Sequence, residues 1–166
     1  MITVRPLRAD EGRIYLEIVN SAIQGLACSH YSPEVLAQWT VPINADTLRD
    51  LMLNTDGEIR LVAELDGTPA GVGALVIERS ELRACYVHPS AARRGCGSAL
   101  VRKIERLASE HGLSHLELAA SLNAEAFYAA QGYAVRTRSD VRLRTGFVMQ
   151  AVRMEKALDR QTQAAT

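Results

Sequence analysis

The run Arg93-Arg94-Gly95-Cys96-Gly97-Ser98 stands directly before the clearest amphipathic stretch of the chain, and its residue types suit the binding of a diphosphate. The first amides of a helix have no intrahelical partner, and the aligned peptide dipoles place roughly half a positive charge there. An anion at that end gains hydrogen bonds and a favourable field together. Gly95 and Gly97 have no Cβ, so the backbone can take positive φ and approach phosphate oxygens, while Arg93 and Arg94 offer charge-assisted donors at the rim. The same spacing fits a tight turn with two solvated arginines equally well. A Walker loop would run into Gly-Lys-Ser/Thr, and a dinucleotide fingerprint would fall in a first βαβ unit; neither is present.

Other reactive side chains do not assemble into a site by spacing. His111 and His115 are separated by Gly112, which should end a helix, so they would not share a face as metal ligands do; no metal is expected. The three cysteines, Cys28, Cys85 and Cys96, have neither CxxC spacing nor regular intervals, and are read as reduced thiols in a cytoplasmic protein. The N-terminus carries Arg5, Arg8 and Asp10 where a signal peptide would be apolar, and no apolar run approaches the roughly 20 residues that span a bilayer, so no membrane association is expected. Formal net charge is zero, yet residues 1–81 hold 12 acidic against 6 basic side chains and residues 82–166 hold 7 against 13. That split disfavours a nucleic-acid partner, and it would suit a protein holding an anion with one half and a cation with the other.

The elements that must position the glycine loop follow from periodicity. With 166 residues the chain fits one domain, 1–158, followed by a polar tail, 159–166. Ile2–Arg5 alternates as a strand, and Ile14 to Leu26 repeats at helical spacing. Short helices are expected near Val35–Trp39 and Thr47–Leu53, the latter capped by Asn44 or Asp46. Glu58–Leu65 and Ala70–Ile77 flank the turn Asp66-Gly67-Thr68-Pro69 as a hairpin, and Leu82–Val87 is a third strand stopped by Pro89. Leu100, Val101, Ile104, Leu107 and Ala108 form the apolar stripe of a helix over Ser98–Glu110. A strand at Leu116–Ala119 leads to Asn123 as the N-cap of a short helix through Gln131, and strands near Tyr133–Arg138 and Val148–Met154 complete a mixed α/β domain. Arg136, Arg138, Arg142 and Arg144 fall on alternate positions around a loop, either guarding a strand edge by charge or contacting an anionic ligand.

Tyr86-Val87-His88-Pro89, the loop Arg93–Ser98 and the segment Ala120-Ser121-Leu122-Asn123-Ala124-Glu125-Ala126-Phe127-Tyr128, with Gly132-Tyr133 after it, resemble the GNAT superfamily of acyl-CoA-dependent N-acyltransferases. The motif-level likeness covers about residues 81–135, and the order of elements outside it also fits. In that family the loop follows a Q/R-x-x-G-x-G/A pattern; here Ala92 occupies the Gln/Arg position, with Arg93 beside it. The resemblance implies a central, mostly antiparallel twisted sheet of six to seven strands flanked by about four helices. Two parallel strands, Leu82–Val87 and Leu116–Ala119, would splay around the pantetheine arm.

The same resemblance implies acetyl-CoA as acyl donor and a primary amine of a small molecule or protein as acceptor, with homodimers common. Its cofactor contacts would be Tyr86, Val87, Arg93, Arg94, Gly95, Cys96, Gly97, Ser98, Asn123 and Tyr128. Tyr128 corresponds to the family's thiolate-facing tyrosine, and a phenol with pKa near 10 is protonated and able to donate at neutral pH. The backbone N–H near Val87 would meet the oxyanion, because the family's strand breaks pairing there. Glu81 is the candidate base, and Tyr31 and Trp39 the candidate acceptor contacts. Two further readings share these motifs: a non-catalytic acyl-CoA-binding module, and a toxin-type acetyltransferase of aminoacyl-tRNA, which zero net charge disfavours.

Overall fold

The computed structural model of the chain describes residues 1–159, so the expected tail lies outside the described residues except for Asp159. Strand β1 (Ile2–Pro6) is followed by α1 (Gly12–Leu26), α2 (Pro33–Trp39) and α3 (Ala45–Leu53). Next come β2 (Ile59–Leu65), β3 (Thr68–Val76), β4 (Glu81–Val87), α4 (Cys96–Glu110), β5 (His115–Ser121), α5 (Glu125–Ala130), β6 (Ala134–Arg142) and β7 (Val148–Ala157). Among the described residues five α-helices stand where about four were expected, and each strand lies within a few residues of its sequence reading.

All seven strands form one sheet in the order β1-β2-β3-β4-β5-β7-β6. Every neighbouring pair is antiparallel except β4 and β5. One face carries α4, whose Leu100, Val101 and Ile104 are fully buried against Leu61, Leu75, Leu82 and Leu116. Each such side chain contributes roughly 1.5–3 kcal/mol of hydrophobic stabilisation. The other face carries α1, which buries Tyr15, Val19 and Ile23 against Val62 and Val72. Helix α1 packs mainly over β3 and β4, and β5 alternates exposed and buried residues. Arg5 anchors the entry to α1: its guanidinium forks onto Glu11 at 2.8 and 2.6 Å and also meets Glu64 at 2.8 Å.

Local chemistry explains the shorter elements. Ser32 accepts from the Val35 amide with Pro33 at the first helical position, and Asn44 makes a reciprocal capping box with Thr47. Pro89 ends β4 in a 3-10 turn over Pro89–Ala91, and Gly25 of α1 packs so closely there that a Cβ would lie 2.5 Å from Pro89 Cγ. Strand β6 is an edge, and two of its arginines are paired, Arg136 with Glu155 at 3.0 Å and Arg138 with Glu125 at 2.7 Å.

Candidate active site

Strands β4 and β5 share a single rung, Glu81 opposite Glu117, reinforced by the Glu117 amide donating to the Ser80 carbonyl at 2.8 Å. Beyond that rung they diverge, and a cleft of about 750 Å³ opens between them. Its walls come from β4 (Leu82–Val87), the following loop (Ala91–Arg93, Gly95, Gly97, Ser98), β5, the Asn123–Tyr128 segment, α1 and Trp39. The parallel pair expected from the sequence thus exists, and its divergence makes the cavity.

The splay exposes backbone as well as space. The His88 amide donates to the Ala70 carbonyl at 2.8 Å, and Val87 stands opposite Gly71 and Cys85 opposite Gly73. Antiparallel ladders alternate bonded and non-bonded pairs, so the N–H and C=O groups of Val87 and Cys85 point away from β3, toward the gap where β5 has withdrawn. The β-bulge on β4 falls at Arg83, between the Ala74–Ala84 and Leu75–Leu82 pairs, so divergence from β5 rather than a local bulge frees the Val87 amide.

At the loop, Gly95 takes φ +93° as the residue before α4, and Arg93 takes φ +60°. Gly95, Gly97 and Ser98 line the cleft, so the start of α4, whose first amides have no intrahelical partner, stands at its wall. Gly97 has a different reason to be glycine than anion approach: a Cβ there would lie 3.0 Å from Phe127 Cζ, so α5 packs directly onto the first turn of α4. Gln131 Nε2 donates to Ser98 Oγ at 3.0 Å and ties the same two helices. Arg93 lines the cleft, whereas Arg94 turns aside toward Asp66, 4.0 Å away. Cys96 is buried in the core under α4 rather than in the cleft lining.

Asn123 does not cap α5 as its sequence position implies. It sits in a 3-10 turn, Leu122–Ala124, Ala124 precedes the helix, and the Asn123 Oδ1 is buried with no hydrogen-bond partner. A buried carbonyl oxygen left unpaired costs about 1–3 kcal/mol, which makes Asn123 Oδ1 a candidate acceptor for a ligand donor, since Asn123 also lines the cleft. Tyr128 lines the cleft with its ring edge-on to Phe127 and Tyr133, at 5.0 and 5.8 Å. Burial, with smaller effects from Cys85, Tyr86 and Tyr133, pushes its phenol well above the ordinary value, so it stays protonated and can only donate or accept a hydrogen bond at neutral pH. Cys85, also in the wall, is pushed up to about 12 by burial and stays a thiol.

The remaining sequence candidates divide. Tyr86 and Trp39 line the cleft and meet edge-to-face at 6.3 Å. Tyr31 does not line it; its ring packs edge-on to Trp39 at 5.6 Å and its hydroxyl is engaged elsewhere. Glu81 also lies outside the lining, and Arg83 grips both of its carboxylate oxygens at 3.0 and 2.8 Å. Arg83 itself reaches the cleft wall, held by Asp56 and Glu58 as well as Glu81. Sequence reasoning overlooked Arg83, Cys85, the α1 residues Ile23 and Leu26, and Ala27 just after α1 in the wall. Alternation along Leu82–Val87 would have placed Cys85 beside Val87, but nothing local marks α1 as part of a site. Among the described residues no group of three His, Cys, Asp or Glu could hold a metal, and no helix is long and apolar enough to cross a membrane.

A split parallel pair, a glycine turn at a helix start and an unpaired amide facing the gap can be set beside known proteins. A model of the Acetyltransferase (GNAT) domain matches residues 27–158. A GCN5-related N-acetyltransferase structure from Rhodopseudomonas palustris superposes with TM-score 0.85 at 29% identity, covering 94% of this chain and 95% of that one. The PaiA N-acetyltransferase of Thermoplasma acidophilum in complex with coenzyme A gives TM-score 0.72 at 19% identity, over 95% and 99% of the two chains. The ribosomal-protein-S18-alanine N-acetyltransferase of Escherichia coli gives 0.68 at 17%, over 100% and 99%. The match to the domain model covers most of the chain, and with it the cleft between β4 and β5: this protein belongs to the GNAT acetyltransferase family.

Proposed function

We propose that the chain is an N-acetyltransferase that passes the acetyl group of acetyl-CoA directly to a primary amine of a small molecule, peptide or protein. The observation that carries this reading is the cleft between β4 and β5, running from the start of α4 to Tyr128 with the Val87 amide turned into it. The pyrophosphate would lie over the amides from Arg93 to Ser98, with Arg93 at the rim. The pantetheine would enter between the strands, where its amide can donate to Asn123 Oδ1 and its thioester reaches Val87 and Tyr128.

In this reading the amine nitrogen attacks the thioester carbonyl carbon, and the carbonyl oxygen gathers negative charge opposite the Val87 N–H. The C–S bond then breaks and the electron pair leaves on sulfur. Tyr128 donates a hydrogen bond to that thiolate; giving up its proton to a thiol of pKa about 8.5 would be uphill by roughly 2 kcal/mol in water, and burial of the phenol adds to the difference. The nitrogen releases its proton to water, and the thiolate recovers one, giving amide and free CoA. The fork with Arg83 leaves Glu81 poorly placed as a direct base. Cys85 stays a thiol, which favours direct attack over an acyl-cysteine intermediate.

A thiol-release assay with acetyl-CoA and an amine library tests the reading. Release with at least one amine is the expected result. Tight acetyl-CoA binding with no release for any amine would make the protein a silent binder, and no binding at all would remove the donor assignment.

A further inference from the structure

Strand β5 pairs with β7 from His115 opposite Ala157 to Ser121 opposite Ala151. Continued by one residue, that register sets Leu122 opposite Gln150. The rung is not made directly. The Tyr31 hydroxyl stands in it, accepting from the Leu122 amide at 2.8 Å and donating to the Gln150 carbonyl at 2.6 Å. Where one N–H···O=C bond would have continued the ladder, a side chain from 91 and 119 residues away keeps the two strands apart.

The rung matters because the donor side of the cleft begins there. Leu122 is the first residue of the 3-10 turn that carries Asn123, with its unpartnered Oδ1, and this turn runs straight into α5 and Tyr128. Tyr31 is equally tied to the opposite wall. Its amide donates to the carbonyl of Ala27, a residue of the cleft lining, and its ring meets Trp39, another. Tyr31, Ala27 and Met149 form a small apolar cluster of their own, flanked by Trp39, Leu122 and Leu143.

We propose that Tyr31 is a positioning residue for the acyl donor: its hydroxyl ends the β5–β7 ladder at Ser121 and so sets the turn that presents Asn123 and Tyr128 to the cleft. This rests on the acetyl-CoA reading of the cleft.

The test is a double-mutant cycle with acetyl-CoA affinity read by calorimetry. Tyr31→Phe keeps the ring and removes the bridge, letting Leu122 close onto Gln150; acetyl-CoA should bind about fivefold more weakly. Asn123→Ala should weaken binding by a similar factor, and the double variant should be no weaker than Asn123→Ala alone, since both act through one group. Wild-type affinity in Tyr31→Phe, or single effects that multiply in the double variant, would overturn the proposal, because a merely structural tyrosine acts independently of Asn123. Should Tyr31→Phe not fold, deuterium exchange at Leu122 in the wild-type chain replaces it. Slower exchange with CoA bound supports the proposal and unchanged exchange overturns it. Failure of the wild-type chain to bind acetyl-CoA would instead strike the donor reading, while lack of effect in Tyr31→Phe with wild-type binding intact strikes only this inference.

Discussion

Around the start of α4 and along β4 the cleft offers mainly backbone groups, whereas toward Trp39 and α1 it offers side chains. On the first side stand the amides of a glycine turn, the freed Val87 N–H and the amide oxygen of Asn123. On the other side Trp39 and Tyr86 meet edge to face, with Ile23 and Leu26 of α1 and Ala27 just after it beside them. Backbone cannot be exchanged without refolding the turn, whereas aromatic side chains can be swapped one at a time.

The sharpest break of that contrast is Gly95→Val. A β-branched residue is strained at φ +93°, at roughly 1–3 kcal/mol, and its side chain would meet Ile2. Acetyl-CoA affinity measured by calorimetry should fall by on the order of tenfold to a hundredfold; wild-type affinity would show that the turn is not the donor cradle. Tyr128→Phe should lower kcat by about tenfold or more with the acetyl-CoA Kd little changed, as expected of a group acting on the leaving sulfur. Unchanged turnover removes Tyr128 from that role. Gly97→Ala pushes a methyl to within 3.0 Å of Phe127 and should cost about 1–3 kcal/mol of stability by overpacking. A thermal melt reads this directly, and a variant that melts normally but loses acetyl-CoA would restore phosphate approach as the reason for the glycine.

Trp39→Ala should raise the acceptor KM about fivefold with acetyl-CoA affinity unchanged, the roughly 1 kcal/mol expected of one truncated contact. Equal losses on both substrates would show that the two walls are not separable. The smallest effect is a pH dependence of stability outside the cleft. The Arg5 guanidinium, aided by the Arg8 amide, lowers the Glu11 carboxyl from 4.5 to about 2 against the opposing effect of burial. A depressed carboxylate stabilises the fold above its unfolded pKa and loses that contribution as protons bind, so stability should decline between about pH 4.5 and 2. Glu11→Gln should flatten that part of the acid-unfolding curve, and an unaltered curve would assign the transition to other carboxylates.

Most of the fold was legible because its periods are plain. The stripe from Leu100 to Ala108, the hairpin turn at Asp66-Gly67 and the stop at Pro89 each have a local cause, and each stands in the structure. The donor loop was legible for the same reason, since a turn with positive φ at Gly95 advertises itself by glycine. Asn123 misled because a residue type favoured at helix starts is also one that can leave a carbonyl oxygen for a ligand, and spacing does not tell the two apart. For Glu81 the sequence shows nearness to the third strand's start but not that Arg83 holds both its carboxylate oxygens.

By itself the sequence determined the order of elements, the glycine turn ahead of α4 and the family to which they point, because each depends on neighbours within a few residues. Only the tertiary structure decided how β4 and β5 part after one rung, which residues of α1 wall the cleft, and that Tyr31 fills the place of a missing rung between Leu122 and Gln150. Those facts turn on contacts between segments as much as 119 residues apart, where packing in three dimensions rather than local preference selects the partner.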